Sequence, residues 1–370
     1  MKYYLVAGEA SGDLHGANLM KALKELDQEA DFRYFGGDLM QAEGGSLIKH
    51  YADMAFMGFI EVVANLPAIL KNLAFCKQDI SAWQPDVLIL IDFPGFNLKI
   101  AEYAKKNNIL VCYYISPKVW AWNQKRVLKI KKVVDHMFCI LPFEVDFYKQ
   151  WGMEVDYVGN PLLDATAAFK PDADFYTHYH LPEKKIIALL PGSRKQEISR
   201  LLPDMLGVAD QFKDHQFVIA GAPSFDATFY QQFLGDKTVP VIFNATYDLL
   251  THAYAAVVAS GTATLETALF NVPQVVVYKG NPVSIGIARM LVKIKFISLV
   301  NLIMDSPVVK ELIQQDCSPK SIGDELKLLT NNKKYRHKML ENYDALDSKM
   351  GKPGASAKAA RLIIKYTSKK

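Results

Sequence analysis

The chain has 370 residues, of which 50% are hydrophobic, with a formal net charge of +4 and a pI of about 8.6. This length and composition support a large apolar core and favour two domains over one. The charge is too small and too scattered for a dedicated nucleic-acid-binding protein, whereas an anionic substrate or membrane surface stays compatible with it.

The N-terminal apolar run "YYLVA" is too short for a signal peptide, so we expect no export. The long apolar stretches at residues 57–70 and 283–300 are interrupted by charges and fall short of the roughly 20 apolar residues that a spanning helix needs. No two cysteines have CxxC spacing, which indicates reduced thiols in the cytosol and neither a zinc site nor a disulfide framework. The cysteines are Cys76, Cys112, Cys139 and Cys317.

Apolar runs alternate with helical segments along both halves of the chain. The first half contains "YYLVAG", "FRYFGG", "DVLILIDF", "ILVCYYIS" and "HMFCILP". After a polar stretch at residues 170–185, the pattern repeats with "IIALLPGS", "QFVIAGAP", "VPVIFN", "AAVVASGT" and "PQVVVYKG". We therefore predict an α/β fold of two Rossmann-like domains, residues 1–170 and 171–345, with a cleft between them, followed by a C-terminal helix and tail at 346–370.

The first predicted strand is followed by "AGEASGDLHG", which is not the GxGxxG pattern of dinucleotide sites. Glu9, Ser11 and Asp13 place polar groups at the carboxyl end of this strand, and Gly12 allows a close backbone approach. Ligand contacts and simple helix capping both fit this pattern.

Asp92 directly follows the buried run "LILI", where a carboxylate can accept a proton from a ligand. Asn97 can cap the next helix, so a purely structural turn is the alternative. Further on, "SPKVWAWNQKR" places Trp120 among basic residues. This combination fits stacking on nucleic-acid bases, but equally a cleft wall next to a helix that contacts anionic lipid.

Two further junctions have the order strand, glycine turn and helix start, namely "LLPGSRKQEI" and "ASGTATLE". Helix N-termini carry unpaired N–H groups and a positive dipole, so each junction suits an anion. Helix capping alone is the alternative for each, but two such turns in one domain favour a diphosphate. The residues are Gly192, Ser193 and Arg194 in the first junction, and Ser260, Gly261, Thr262 and Glu266 in the second.

The sequence "DAD" at 172–174 mimics a metal-binding DxD, but no strand precedes it, and we interpret it, with His178 and His180, as surface. No GxxxxGK[ST], HExxH or GxSxG pattern occurs. We therefore expect neither a metal nor a cofactor.

The motifs "AGEASGD", "IDFPGFN", "ISPKVWAWNQKR", "LPFE", "GNPLLD", "LLPGSRKQEI", "ASGTATLE" and "SLVNLI" occur in this order over nearly the whole chain. Together they closely resemble the lipid-A-disaccharide synthase family of bacterial inverting glycosyltransferases. The resemblance implies a GT-B fold with the acceptor lipid in the N-terminal domain and the UDP-sugar in the C-terminal domain. The implied reaction joins UDP-2,3-diacylglucosamine to 2,3-diacylglucosamine 1-phosphate by a β-1,6 linkage, with inversion, without metal, and with release of UDP.

The resemblance also implies residue roles. Asp92 is the expected general base, with Glu9 as second choice; Lys279 and Asn301 join the two junctions in donor binding. Two positions depart from the family: Gly95 stands where members often carry a second acid, and "MDSPVVKEL" replaces a common glycine-arginine after Asn301. The expected acceptor-binding residues are Ser11, Gly12, Asp13, Asn97 and Trp120.

The lipid substrates give residues 57–70 and the basic helix near Arg126 an expected role on the anionic inner face of the inner membrane, although an ordinary core helix fits residues 57–70 equally well. We therefore expect a cytoplasmic, peripherally associated enzyme, with no nucleic-acid partner; a homodimer is left open. Two alternatives stay open from the sequence: an isomerase similar to UDP-GlcNAc 2-epimerases, and a non-catalytic sensor of nucleotide sugars.

Overall fold

The computed structural model describes residues 1–54, 66–280 and 295–368, and the chain divides into two compact units. The first unit comprises Met1–Asp164 together with Lys352–Lys370, and the second comprises Ala165–Gly351. The chain thus leaves the first unit at Asp164, before the expected boundary at residue 170, and its last helix belongs to the first unit.

Among the described residues, the first unit contains a seven-stranded sheet in the order β3-β2-β1-β4-β5-β6-β7, with every pair parallel. Alternate side chains of its central strands enter two apolar cores, one on each face, with Tyr4 and Leu88 in one and Tyr3 and Ile89 in the other. The strands are β1 (Lys2–Ala7), β2 (Asp31–Gly36), β3 (Ser46–His50), β4 (Val87–Ile91), β5 (Leu110–Tyr114), β6 (His136–Cys139) and β7 (Asp156–Tyr157).

Helices follow most of these strands, as the alternating pattern of the sequence predicts. They are α1 (Ala10–Leu26), α2 (Asp38–Ala42), α3 (Leu66–Trp83), α4 (Pro94–Lys106), α5 (Val119–Trp122), α6 (Val127–Val133), α7 (Phe143–Gln150) and α8 (Pro161–Ala168), in which the chain passes to the second unit. Short 3₁₀ turns at Tyr51–Asp53 and Gln124–Arg126 complete the described elements of this part.

The second unit contains, within the described ranges, a six-stranded parallel sheet in the order β10-β9-β8-β11-β12-β13. Its strands are β8 (Lys185–Leu190), β9 (His215–Gly221), β10 (Val241–Phe243), β11 (Ala253–Ala259), β12 (Gln274–Tyr278) and β13 (Lys310–Ile313). Its helices are α9 (Phe175–His178), α10 (Lys195–Leu206), α11 (Ala227–Leu234), α12 (Thr246–His252), α13 (Thr262–Leu269), α14 (Leu299–Met304), α15 (Pro319–Asn331) and α16 (Lys333–Met350), with 3₁₀ turns at Ala209–Gln211 and Gln314–Asp316.

The last helix, α17 (Ala355–Thr367), packs against α1 in the first unit. Its apolar face, which includes Ala359 and Ile363, is fully buried. The Asp164 carboxylate accepts hydrogen bonds from the backbone N–H groups of Gly354 and Ala355, at the start of the helix. Burial and capping together account for its return to the first unit, which the sequence pattern did not indicate.

The polar stretch at 170–185 is part of the second unit and not a free linker. Phe175 is fully buried and its ring stacks on His252 at a centroid distance of 4.6 Å. Asp172 accepts from its neighbour Asp174 N–H and contacts His178 at 3.0 Å, while its own N–H donates to Asp248. Aromatic side chains of this stretch therefore pack into the core of the second unit, although the stretch is mostly polar in sequence.

In both sheets the order in which successive strands are added reverses between two adjacent central strands. In the first sheet β1 lies beside β4, and in the second β8 lies beside β11. The crevice at the carboxyl ends of such a strand pair is the usual ligand site of open parallel sheets. The four polar turns that the sequence analysis singled out follow these four strands.

No helix in the described part of the chain is long and apolar enough to cross a membrane.

Candidate functional site

A pocket of about 310 Å³ lies at the carboxyl edge of the second sheet. It is formed where β8 and β11 end and where α10 and α13 begin, so both helix starts contribute to one pocket. The turn after β9 and the start of α12 close its other sides. The lining residues are Leu190, Gly192, Ser193, Glu197, Ala220, Gly221, Ala222, Pro223, Thr246, Ala259, Ser260, Gly261, Thr262, Ala263 and Glu266.

The turn before α10 requires glycine at position 192. Gly192 has φ +104, a left-handed conformation that L side chains rarely adopt, and an added Cβ would lie 2.1 Å from the Glu197 Oε2 atom. Arg194 is the N-cap residue of α10 and is exposed. It is not among the lining residues, and its charge acts on the neighbouring carboxylate of Glu197.

Glu266 supplies a carboxylate inside this pocket. The Tyr247 hydroxyl donates to its Oε1 atom at 2.9 Å, which fixes the side chain. Burial raises the pKa of Glu266, and the hydrogen bond from Tyr247 opposes this effect. One carboxylate oxygen is thereby oriented by protein, as in sites where the other oxygen accepts from ligand hydroxyl groups.

Ser260 is tied to a neighbouring segment and not only to the pocket. Its hydroxyl donates to the Ile297 carbonyl at 2.9 Å. The Glu311 carboxylate holds that segment, because it accepts from the N–H groups of Ile297 and Ser298 and from the Asn301 side-chain amide. Ser260 is therefore held by a partly buried polar network anchored by Glu311.

Two expected donor-binding residues lie in supporting positions. Asn301 is 1% exposed, and its amide bonds to Glu311 and to both backbone groups of Val309. Lys279 forms an ion pair with Asp204 of α10, and neither residue lines the pocket. Neither Lys279 nor Asn301 is among the residues that line the pocket.

In the first unit, Asp92 lies on an unusual turn directly after β4. Asp92 and Phe93 have φ values of +43 and +47, so two consecutive residues other than glycine adopt the left-handed conformation. Such backbone persists only where the surroundings enforce it, and it is concentrated at functional sites. The strain sits at the residue that the sequence analysis selects as the base.

Asn97 and Tyr113 enforce this turn. The Asn97 side chain is fully buried and its amide donates to the carbonyls of Val6, Ile91 and Asp92, at 3.2, 3.2 and 2.8 Å. The Tyr113 hydroxyl also donates to the Asp92 carbonyl. Asn97, expected to contact the acceptor, therefore positions Asp92 and ties β1 to β4.

The glycine-rich turn after β1 meets the Asp92 turn through a ring contact. An added Cβ on Gly8 would lie 2.3 Å from the Phe93 ring, so only glycine leaves room for that ring. Glu9 is the exposed N-cap of α1, and Ser11 in the first turn is also exposed. Gly12 is buried against Ala7.

The Asp13 carboxylate bonds to the backbone of the turn that follows β2. Asp13 is 2% exposed, and its carboxylate accepts from the N–H groups of Gly37, Leu39 and Met40 at 2.7, 3.0 and 3.1 Å. Asp13 therefore caps α2 and joins the turns after β1 and β2. Its oxygens are occupied by backbone donors, so we assign it a positioning role.

The environment of the Asp92 carboxyl suits proton transfer near neutral pH. Burial raises the pKa of Asp92 to about 6, Lys118 lowers it and Glu9 raises it further. A general base works best when its pKa is close to the working pH. Asp92, Glu9 and Lys118 thus form one electrostatic group at the carboxyl edge of the first sheet.

A second carboxylate, Glu144, holds the loop that carries Lys118. Glu144 is 1% exposed and accepts from the Ser116 hydroxyl, the Trp120 indole N–H at 3.2 Å and the Leu141 N–H at 3.0 Å. Burial raises the pKa of Glu144 to about 7, against the lowering effect of these hydrogen bonds. Trp120, an expected acceptor-binding residue, is itself 7% exposed.

Three residues of the first unit, Glu144, Tyr113 and Lys118, were not among the site residues predicted from the sequence. Glu197 and Thr246 of the second unit were not among them either. The quoted motifs "ISPKVWAWNQKR", "LPFE" and "LLPGSRKQEI" contained Lys118, Glu144 and Glu197, but only the fold shows which groups these side chains meet. Within residues 1–54, 66–280 and 295–368, no three His, Cys, Asp or Glu side chains are grouped in a way that could hold a metal ion.

Solved structures of an epimerase and of a glycosyltransferase share the fold of this chain. A UDP-GlcNAc 2-epimerase from Neisseria meningitidis bound to UDP-GlcNAc matches with a TM-score of 0.69 and 13% identity, over 100% of both chains. A calicheamicin glycosyltransferase matches with a TM-score of 0.59 and 14% identity, over 99% of this chain and 98% of the other. At these identities the likeness concerns the fold alone, and it confirms the predicted GT-B class.

Sequence relatives are more specific. Residues 3–363 match the family model described as lipid-A-disaccharide synthetase. A lipid-A-disaccharide synthase of Syntrophus aciditrophicus is 41% identical over 97% of this chain and 96% of its own length, and one of Coxiella burnetii is 37% identical over the same shares. This enzyme therefore belongs to the lipid-A-disaccharide synthase family of glycosyltransferases.

Proposed function

We propose that the protein joins UDP-2,3-diacylglucosamine to 2,3-diacylglucosamine 1-phosphate, giving the β-1,6-linked disaccharide 1-phosphate and UDP. The observation that carries this proposal is the single pocket lined by two helix starts and the Glu266 carboxylate. A nucleoside diphosphate presents the matching groups, because its phosphates suit helix N-termini and its ribose hydroxyls suit a carboxylate.

In the donor complex, the backbone N–H groups of the Gly192–Ser193 and Gly261–Thr262 turns would donate hydrogen bonds to the phosphate oxygens. Glu266 would accept from the ribose hydroxyls, with Tyr247 holding it in place. Arg194 adds positive charge from its exposed position at the start of α10. Lys279 and Asn301 would support this site indirectly, through Asp204 and Glu311.

The chemistry we propose is one displacement. Asp92 takes the proton of the acceptor 6-hydroxyl group. At the same time the oxygen of that hydroxyl group bonds to C1 of the donor sugar. The bond from C1 to the diphosphate oxygen breaks, and UDP leaves with the electron pair. Attack from the face opposite the leaving group inverts the configuration at C1.

Charge develops on the leaving diphosphate, and preorganised N–H donors stabilise it without reorganisation. We therefore propose a reaction that needs no metal. Glu9 is the second choice for the base, since it lies close enough to affect the Asp92 pKa. Ser11 and Gly12, beside Glu9, are our candidates for acceptor contacts.

Membrane association would bring the enzyme to its lipid substrates. Leu66 and Leu70, at the start of α3, are 47% and 52% exposed, and Phe75 of the same helix is 42% exposed. Helix α6 carries the exposed residues Lys129, Lys131 and Lys132, and Lys125 just before it is also exposed; Leu128 of this helix is 52% exposed. Apolar side chains and nearby lysines are what an anionic leaflet attracts. Most of the stretch 57–70 lies outside the described residues.

The deciding experiment incubates the purified protein with both substrates and excess EDTA, and follows disaccharide and UDP by mass spectrometry and the new linkage by NMR. We expect equimolar disaccharide and UDP with a β-1,6 linkage. Conversion of a UDP-sugar without acceptor would indicate an isomerase, and binding without turnover would indicate a sensor. Activity that requires added magnesium would contradict the metal-independent mechanism.

Vesicle co-sedimentation tests the membrane proposal separately. We expect binding to vesicles rich in phosphatidylglycerol and little binding to phosphatidylcholine vesicles. Replacing Leu66 and Leu70 together by serine should weaken binding, because apolar burial in the interface is lost. Equal binding of the double variant would exclude this part of α3 from the membrane contact.

A further inference from the structure

The Glu197 carboxylate lies against the turn that we assign to the donor phosphates. Glu197 is in the first turn of α10, and its Oε2 atom accepts from the Ser193 N–H at 3.3 Å. The same oxygen would be 2.1 Å from a Cβ placed on Gly192. Both turn residues and Glu197 line the pocket. An anion of the protein itself therefore occupies this helix start.

The contact is weak for a carboxylate at a helix start. Its 3.3 Å length contrasts with Asp13, whose carboxylate accepts three N–H groups at 2.7 to 3.1 Å. Burial raises the pKa of Glu197, although hydrogen bonds from the backbone of Ser193 and Arg194 and the charge of Arg194 lower it. The cost of burying the negative charge therefore exceeds what these partners return.

We propose that Glu197 competes with the donor diphosphate for the Gly192–Ser193 turn and must move aside when the nucleotide sugar binds. This inference rests on the proposed function, since it concerns the same pocket. The Glu197 carboxylate and a phosphate would compete for the Ser193 N–H, because the repulsion between the two anions adds to the loss of a hydrogen bond. Free energy spent on displacing Glu197 lowers the affinity for UDP, which favours release of this product after transfer.

If Glu197 competes with the diphosphate, removing its charge should increase the affinity for UDP, whereas removing a ligand-binding residue should decrease it. In Glu197→Gln the side chain keeps its size but loses its charge, so the diphosphate should displace it more easily. We expect the full-length variant to bind UDP roughly 5- to 50-fold more tightly than the wild type in calorimetry. Uridine, which lacks phosphate, should bind both proteins equally. Glu197→Ala should also bind UDP more tightly.

Unchanged or weaker UDP binding by both variants would overturn the proposal and leave Glu197 as a helix cap or a nucleotide contact. Glu325→Gln is the matched control, because Glu325 is a buried glutamate of the same unit that accepts from Tyr335 and lies outside the pocket lining. We expect its UDP affinity to equal that of the wild type. Failure of the wild type itself to bind UDP would instead refute the proposed function.

Discussion

The sites at the carboxyl edges of the two sheets differ in the groups that form them, backbone N–H groups in one and side chains in the other. In the second unit, the pocket presents backbone N–H groups at two helix starts, and glycine at 192 makes the geometry possible. In the first unit, the buried side chains of Asn97 and Tyr113 shape the turn of Asp92, and the buried Glu144 holds the loop that carries Lys118. Backbone donors suit a fixed anion, whereas side-chain networks can place and tune one acid.

This difference has a consequence for mutation. Side-chain changes in the first unit should affect turnover strongly, even at residues that do not touch substrate. Single side-chain changes in the second should have smaller effects on nucleotide affinity, because the main donors belong to the backbone. Variants in both units test this difference between effects on turnover and effects on nucleotide affinity.

The largest effect is expected for Asp92→Asn. The substitution is nearly isosteric, so fold and UDP affinity should be retained, while kcat should fall by roughly 10²–10⁴-fold because the proton acceptor is lost. The fall should appear in kcat more than in KM. Steady-state kinetics with both substrates provide the measurement, and UDP calorimetry provides the control. Near wild-type turnover would move the base to Glu9.

Glu144→Gln tests a carboxylate that we place behind the site. Glutamine can still accept from Ser116 and Trp120, but its NH₂ group would face the Leu141 N–H, at a cost of about 1–3 kcal/mol. We expect a lower melting temperature and a fall in kcat of roughly 10-fold or more, since the Lys118 loop shifts. The Trp120 indole N–H signal should move in NMR spectra.

The matched comparison for this variant is Glu325→Gln, which removes the charge of a buried glutamate in the second unit. It should lower stability without a comparable loss of kcat. Equal losses of kcat in both variants would mean that Glu144 acts only through global stability.

Arg194→Ala should weaken UDP binding by roughly tenfold, the lower part of the range for a charge-assisted contact. The effect stays small because Arg194 is exposed and the backbone donors of the pocket remain. It should shrink further at high salt, where exposed charges are screened. Calorimetry at two salt concentrations measures this. A loss of several hundredfold would show that a side chain, not the backbone, dominates phosphate binding.

The pH dependence of turnover reports on the first unit. Asp92 must be ionised to act as a base, and its pKa lies at about 6 because burial raises it. We therefore expect kcat/KM to be level above this pH and to fall about tenfold for each pH unit below it. The UDP affinity of the Asp92→Asn variant is measured over the same pH range. A constant affinity would show that the fall in kcat/KM does not come from titration of groups in the second unit. A flat profile down to pH 5 would contradict the assignment.

The sequence predicted the fold well because both halves repeat one local pattern, a buried strand followed by a helix. It also selected Gly192, Ser193, Ser260, Gly261, Thr262 and Glu266, which the structure brings to one pocket. These residues share a local signature at a strand end. Such residues can be predicted from the sequence because the adjoining strand and helix determine where each turn lies.

Partners distant in sequence were beyond such reasoning. Asp13 caps α2, whose N-cap residue Gly37 lies 24 residues later in the chain, and Lys279 pairs with Asp204, 75 residues before it. A polar residue after a strand therefore has the same sequence signature whether it meets ligand or a neighbouring turn. The return of α17 to the first unit is equally non-local, since it depends on the Asp164 carboxylate and the apolar surface of α1.

The smallest effect is expected at Gly95 in the first unit. Gly95 is exposed near the start of α4, an added Cβ would meet nothing within 4 Å, and the first turn of this helix has no acidic residue. Gly95→Asp should stabilise the protein by about 0.5–1.5 kcal/mol, through reduced unfolded-state freedom and the helix dipole. The new charge should raise the Asp92 pKa, which moves the acid limb of kcat/KM to higher pH. Gly95→Asn should keep part of the stability gain and leave the limb in place, so identical pH profiles for both variants would show that position 95 does not influence Asp92.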